Sequence, residues 1–257
     1  AYRIQSENKT YFLKLNTGDK LAMFEAEADG LVELEKAKAI RVPHVVCSGV
    51  NGSQSYIVME NISLTGRGSM QDFAAQLEKL HRYTNSQFGW HRENTIGSTL
   101  QNNQQMDSWL EFWSTQRLGF QLELAKKNGA NKSLLDKGER IQAELAQFFQ
   151  GYEPEISLLH GDLWSGNYAF SDSGEAVIFD PATYYGDREA DIAMTELFGG
   201  FSSDFYAHYN ECWPLDYGYR VRKHLYNLYH ILNHFNMFGG GYESQTDGIC
   251  GRLLAII

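Results

Sequence analysis

Apolar and polar positions alternate along residues 2–15, where the β-formers Tyr2 and Ile4 are followed by Tyr11-Phe12-Leu13-Lys14-Leu15 with the polar Glu7-Asn8-Lys9 between them. That period of two predicts a hairpin. The period then changes: between Leu21 and Ile40, Phe24, Ala28, Leu31, Leu34 and Ala37 recur at spacings of 4, 3, 3 and 3. This is the mark of a helix with one buried stripe, and Pro43 is expected to end it. Two further β-like runs, Val45-Val46-Cys47-Ser48-Gly49-Val50 and Ser55-Tyr56-Ile57-Val58-Met59-Glu60, lie on either side of Asn51-Gly52. Asn-Gly supplies the positive φ angles of a tight turn, so this is a second hairpin. The chain up to Glu60 therefore reads β-β-α-β-β.

From Asn61 onward the period is helical. Phe73, Leu77 and Leu80 form one stripe, Trp109 to Leu124 a second, and Leu134, Ile141, Leu145 and Phe148 a third. Two short β-like runs interrupt this region, Ile156-Ser157-Leu158-Leu159 and Ala176-Val177-Ile178-Phe179, each followed at once by polar residues that include an aspartate. Toward the end, Val221, Leu225, Leu228, Leu232 and Phe235 mark an amphipathic helix over Tyr219 to Phe238, stopped by Gly239-Gly240-Gly241. The expected organisation is a β-rich lobe at 1–60 and a helical lobe at 61–257, a mixed α/β fold of the α+β kind, without repeats or low-complexity segments.

Composition narrows the functional classes. A chain of 257 residues can bury one large core or two lobes sharing a cleft. Its 43% hydrophobic and 21% charged residues belong to a folded protein and not to a disordered tail. Lys plus Arg number 22 against 32 Asp plus Glu, a net charge of −10, which argues against nucleic acid as a partner because a duplex-binding surface needs many phosphate contacts. Any phosphate-bearing ligand must be met locally, by a metal or a few basic residues. Cys47, Cys212 and Cys250 lie far apart with no Cys-x-x-Cys pair, so neither a zinc site nor a disulfide framework is expected, and a reducing cytoplasm fits. No run approaches the roughly 18 apolar residues that span a bilayer, so no membrane is expected. Ala1-Tyr2-Arg3-Ile4-Gln5 opens like the interior of a strand and not like a signal peptide, which leads to the expectation of residues upstream.

The densest chemical signal is His160-Gly161-Asp162-Leu163-Trp164-Ser165-Gly166-Asn167, followed by Phe179-Asp180-Pro181. An Asp-x4-Asn loop with a later aspartate at a strand end suits phosphoryl transfer. Asp162 can accept an alcohol proton, while Asn167 and Asp180 offer hard oxygen ligands to Mg²⁺ bridging nucleotide phosphates. Upstream, Lys14 on a strand and Glu27 on the next helix can form the ion pair that holds a lysine against the α- and β-phosphates of ATP.

With these residues in place, the whole chain resembles the fructosamine kinase family, within the aminoglycoside and choline kinase branch of the protein-kinase-like fold. The resemblance is carried by Tyr11-Phe12-Leu13-Lys14, Met23-Phe24-Glu25-Ala26-Glu27, His160 to Asn167, Phe179-Asp180-Pro181 and Tyr185-Gly186-Asp187-Arg188-Glu189-Ala190-Asp191. It implies a two-lobed kinase-like fold with ATP in the cleft. Lys14 would be the phosphate lysine, Glu27 its partner with Glu25 as the rival, Asp162 the catalytic base, and Asn167 and Asp180 the metal ligands. Glu60, Asn61 and Ile62 would form the hinge beside adenine. It further implies a ketosamine acceptor, small or protein-bound, phosphorylated at its sugar 3-hydroxyl, which destabilises the adduct and frees the amine.

The sequence departs from protein kinases in three ways. Gly161 stands where His-Arg-Asp has Arg, Asp-Pro replaces Asp-Phe-Gly, and no Ala-Pro-Glu segment follows. No phosphorylation-switched activation loop is therefore expected. The glycine-rich phosphate loop of the family, expected just before the first strand, is not present in the sequence.

Each of these residues also has a blander reading. A lysine on an alternating strand usually faces solvent, and helical glutamates are mostly exposed; Asp162, Asn167 and Asp180 could form an ordinary capped turn, a reading that three coincident matches outweigh. Trp164 either packs in the core or offers a flat apolar face to a sugar. Asp187, Arg188 and Asp191 read as a salt bridge and helix cap supporting the catalytic loop. His230 and His234 lie four apart but lack the glutamate of His-Glu-x-x-His, so zinc is not expected, and Tyr226 with His230 is a candidate border of the acceptor pocket. His81 reads as a partly buried structural histidine and His160 as a residue that orients the loop. Two other functions stay open, a kinase of another small alcohol such as an aminoglycoside or choline, and a nucleotide-binding module without activity. Oligomeric state has no signature in the sequence.

Overall fold

Alternation along the first strands places one apolar face of a sheet over one helix. In the computed structural model, which describes residues 1–6, 9–64 and 67–257, β1 (Tyr2–Ser6), β2 (Lys9–Thr17), β3 (Val45–Asn51) and β4 (Gln54–Glu60) form an antiparallel sheet in the order β1-β2-β4-β3. The turn expected at Glu7-Asn8 lies outside the described residues. Ser55, Ile57 and Met59 of β4 point to the buried face, and Lys14 of β2 stands opposite Ile57. Between the hairpins runs α1 (Leu21–Lys36), which buries Phe24, Leu31 and Leu34. The helix stops at Lys36, well before Pro43. The Ala37 amide already donates to the Leu34 carbonyl, and Lys38 takes the left-handed conformation at φ 49°, the geometry that commonly ends helices.

The larger lobe is mainly helical. Ser69 caps α2 (Met70–His81) by accepting from the Asp72 amide, and Phe73, Leu77 and Leu80 are buried as their spacing predicts. A short hairpin follows, β5 (Asn94–Ile96) with β6 (Thr99–Gln101). The second stripe is one continuous run of α3 (Trp109–Phe112), a π-helical stretch Trp113–Gly119 and α4 (Phe120–Lys127). The third is broken: α5 (Lys132–Ala143) carries Leu134 and Ile141, whereas Leu145 and Phe148 sit in a separate 3₁₀ turn, Leu145–Phe149, beyond Glu144. The two β-like runs become β7 (Ser157–Leu159) and β9 (Ala176–Ile178). Each is paired antiparallel, β7 with β10 (Tyr184–Gly186) and β9 with β8 (Tyr168–Phe170). The helices α6 (Arg188–Leu197), α7 (Ser203–Cys212), α8 (Tyr219–Phe238) and α9 (Tyr242–Leu254) complete the lobe, with α8 packed between α6 and α9 and α7 on α2.

The two lobes touch at named points. Arg41 bridges Val177 through the backbone, and its guanidinium reaches Glu60 at 2.6 Å and Glu175 at 2.8 Å. From α1, Glu33 accepts from the Tyr185 hydroxyl at 2.7 Å and Asp29 pairs with Arg92. Gly30 faces the loop after β9 so closely that a Cβ there would lie 3.1 Å from Thr183 Oγ1, so the absence of a side chain lets helix and loop approach.

Candidate active site

The loop leaving β7 is shaped by groups that cannot be exchanged freely. Gly161 has φ 84°, and a Cβ there would fall 2.0 Å from the Ala182 carbonyl oxygen. Glycine is the residue that fits, which explains why Arg does not stand here. From α6, the buried Asp191 accepts the amides of His160 at 2.7 Å and Gly161 at 2.8 Å, and it meets His81 Nε2 at 3.2 Å. Burial opposes its ionisation, but His81 and the Gly161 amide outweigh that and hold its pKa below the usual aspartate value. His160 Nε2 lies 3.0 Å from the Phe179 carbonyl, and its Nδ1 accepts from the Asp162 amide at 3.2 Å. Burial lowers the His160 pKa, so a neutral ring with the proton on Nε2 satisfies both contacts. The ring ties the Asp162 loop to the segment that carries Asp180.

That segment returns the tie. Asn167 Nδ2 donates to the Asp162 carbonyl at 2.8 Å and to Asp162 Oδ2 at 3.1 Å, while the Phe179 amide donates to the Asn167 carbonyl. With the amide nitrogen committed, Asn167 Oδ1 is left as the acceptor. Burial, opposed by the Asn167 bond and helped by the charges of Asp191 and Asp180, pushes the Asp162 carboxyl up to about 7. Asp180 has φ 59°, a left-handed conformation that costs energy for any residue with a side chain.

Lys14 completes the cluster from β2. Its Nζ lies 2.6 Å from Glu27 Oε1 and 2.6 Å from Asp180 Oδ1. Burial disfavours the ammonium, but Glu27 and Asp180 outweigh it and hold the Lys14 pKa above the ordinary lysine value. Glu25 is exposed and Glu27 is the partner. The sequence carried a signal for this choice: Glu27 lies three residues after Phe24 and four before Leu31, beside the buried stripe, and Glu25 does not.

Two cavities meet at this cluster. One, of about 520 Å³, is lined by Phe12, Met59, Glu60, Asn61, Ile62 and Val177 together with Lys14 and Asp180. The other, of about 310 Å³, is lined by Glu27, Asn94, Thr95, Asp162, Trp164 and Asn167 together with the same Lys14 and Asp180. A planar base fits the apolar walls of the first, and a hydroxylated acceptor fits the polar walls of the second. Among the described residues no group of three or more His, Cys, Asp or Glu could hold a metal ion. The oxygens of Asn167 and Asp180 suit Mg²⁺, which takes one or two protein ligands and completes its shell with phosphates and water.

A family model described as fructosamine kinase matches residues 1–256. The chain belongs to the fructosamine kinase family. A probable ketoamine kinase of Synechocystis sp. is 45% identical, the match covering 100% of this chain and 87% of that protein. A chloroplastic protein-ribulosamine 3-kinase of Arabidopsis thaliana is 40% identical over 100% of this chain and 80% of its own length. The crystal structure of a fructosamine-3-kinase candidate from Haemophilus somnus superposes with a TM-score of 0.89 at 33% identity, covering 98% of this chain and 86% of that one. Solved structures of an aminoglycoside phosphotransferase and a choline kinase, at 14% and 16% identity, share the kinase-like fold alone.

The remaining residues of this fructosamine kinase family member fall into supporting places. Asp187 caps α6 through the Glu189 amide at 2.9 Å and accepts the hydroxyls of Tyr152 and Tyr226. Arg188 donates to Tyr209 and to the carbonyls of Trp213 and Pro214. Tyr226 does not border the acceptor cavity: it is fully buried, its hydroxyl spent on Asp187. His230 is buried too, its pKa pushed down to about 3 by burial. His81 is wholly buried between Asp191 and the Tyr209 hydroxyl. Trp164 stays 37% exposed at the cavity wall, so it is not a core residue. Asn94 and Thr95 gave no sign in the sequence, because a three-residue strand with a single apolar side chain, Ile96, has no period to detect.

Proposed function

We propose that this protein transfers the γ-phosphoryl group of ATP to the 3-hydroxyl of a ketosamine, small or protein-bound. Residues 1–60 would supply the nucleotide side of the cleft and 61–257 the catalytic loop and acceptor site. The observation that carries this reading is the meeting of two cavities at Lys14 and Asp180, one walled by Glu60, Asn61 and Ile62 and the other by Asp162 and Trp164. The names of the relatives support the ketosamine.

Asp162, with a pKa near 7, is basic enough to take the hydroxyl proton as the sugar oxygen attacks phosphorus and the bond to ADP breaks. Lys14 meets the phosphates as a cation already ordered by Glu27, and Trp164 offers its face to the sugar. Asn167 and Asp180 would hold Mg²⁺, which when bound neutralises charge on the phosphate oxygens. Phosphate on C3 becomes a leaving group that enolisation through C1 and C2 can expel, and water then hydrolyses the resulting C1 imine, so the product slowly gives phosphate, free amine and a 3-deoxy dicarbonyl sugar without further enzyme, a deglycation. Among the described residues no helix is long and apolar enough to cross a membrane, and the three cysteines are free; we place the protein in a reducing compartment, the cytoplasm.

The test is acceptor-dependent ADP release from fructosyl- or ribulosyl-lysine, followed by NMR of the product. Phosphate on C3 supports the proposal. Phosphate on C6 only, or turnover of kanamycin or choline with none of ketosamines, overturns it. In the same assay Lys14→Met is expected to lower kcat/KM for ATP by about 10- to 10²-fold, the loss of charge-assisted contacts to phosphate, with a cooperative thermal transition retained. If stability alone changes, Lys14 is structural.

A further inference from the structure

A run of aromatic rings continues outward from the acceptor cavity. Trp164 lines that cavity with Asp162 and packs edge-on against Phe198, ring centroids 6.2 Å apart. Phe198 lies 4.9 Å from His234, which lies 5.7 Å from Phe238 and 5.1 Å from Tyr242. The strip thus links the catalytic loop, the end of α6, the last turn of α8 and the start of α9. Its outer end is open, Phe238 being 66% exposed and Trp164 at its inner end 37% exposed. Four elements contribute rings to it; Phe198 and Tyr242 also pack against the hydrophobic core, whereas Phe238 lies outside it.

We propose that this strip is the docking surface for the amine-bearing half of a protein-bound ketosamine, the glycated lysine and the peptide residues beside it. The inference rests on the ketosamine reading above and extends it. A cavity of about 310 Å³ that must also admit the transferred phosphoryl group has room for the sugar and not for a peptide. With the C3 hydroxyl at Asp162, the nitrogen on C1 and the chain attached to it leave by the mouth of the cavity, and the strip begins there at Trp164. The lysine stem is four methylene groups ending in a secondary ammonium. Aromatic faces suit both parts, burying the methylenes and attracting the cation. Rings also bind at low ordering cost, since each has only two rotatable angles to fix.

The test compares two acceptors bearing the same sugar, one on glycine and one on the lysine ε-amine at the centre of a nine-residue peptide. Phe238→Ala removes the most exposed ring and Phe198→Ala the one next to Trp164. For each, the ratio of kcat/KM for the peptide to that for the glycine adduct is expected to fall about 5- to 10-fold, through KM and not kcat, the size of one or two ring contacts. Circular dichroism and thermal unfolding check that both variants fold, and Phe238, lying outside the packed core, remains informative if Phe198→Ala does not. An unchanged ratio, with the glycine adduct still turned over, overturns the docking surface and leaves the ketosamine kinase standing. Failure of the parent protein on both acceptors overturns both.

Discussion

Replacing Asp162 by Asn is expected to lower kcat by about 10²–10⁴-fold, the contribution of a positioned general base, while nucleotide binding persists. The substitution keeps the shape, and the loop's other ties, Asp191 to the His160 and Gly161 amides and His160 to Phe179, do not involve the carboxylate. Stability gives a second check with the opposite sign. The Asp162 carboxyl is pushed up from 3.8 to about 7, chiefly by burial. Its ionisation therefore opposes folding, and that loss sets in as pH rises from the ordinary carboxyl range through about 7. The amide carries no such charge, so at pH 8 the variant is expected to unfold at the same temperature or higher. Loss of turnover with equal or greater stability assigns Asp162 to catalysis, whereas turnover near that of the parent removes it from the role of base.

The largest loss of stability is expected from Arg222→Leu. Arg222 on α8 and Glu189 on α6 are buried at 1% and 0% exposure and form two parallel bonds of 2.7 and 2.9 Å. The same guanidinium reaches Asp216 and stacks 3.7 Å over Tyr152, whose hydroxyl holds Asp187 at the start of α6. Removing the cation strands a carboxylate in the interior, at a cost of about 3–5 kcal/mol. Urea unfolding reads the loss directly. Adding Glu189→Leu to Arg222→Leu is expected to recover much of it, because the stranded charge and not the missing attraction is the main penalty. A single-variant loss below about 1 kcal/mol would show that water or a rearranged neighbour satisfies Glu189.

The chain up to Glu60 was legible because its periods are long and clean: two alternating runs, one helical stripe, one Asn-Gly turn. The candidate site was legible for another reason, since Asp162, Asn167 and Asp180 combine two aspartates and an asparagine at fixed spacings that few other tasks require. The β5–β6 hairpin was not legible. Asn94, Gln101 and Asn103 are polar yet buried, and they are held by a network no hydrophobic pattern reveals, with Asn94 donating to the Thr183 carbonyl, Gln101 to the Ala182 carbonyl and Arg117 to Asn103. Polar side chains that find partners far along the chain look like a loop until the fold supplies the partners. The end of α1 was misplaced because the left-handed turn at Lys38 leaves no mark in residue type, whereas Pro43 is conspicuous.

The fastening of α1 on both sides of the cleft decides what happens to charge if the cleft widens. On one side the helix buries Phe24, Leu31 and Leu34 in the core shared with β4, each worth about 1.5–3 kcal/mol. On the other it holds the helical lobe by Asp29 with Arg92, a partly exposed ion pair worth about 0–1 kcal/mol, and by Glu33, which accepts from the buried Tyr185 hydroxyl, a bond to a charged group worth about 1.5–3 kcal/mol. If these ties and the close approach of Gly30 to Thr183 yield before the apolar face does, α1 travels with the strands. Lys14 and Glu27 then ride together, and only the bond from Lys14 to Asp180 stretches. The ammonium would then keep one carboxylate beside it throughout such an excursion, and the part-buried lysine would not be left as a lone charge.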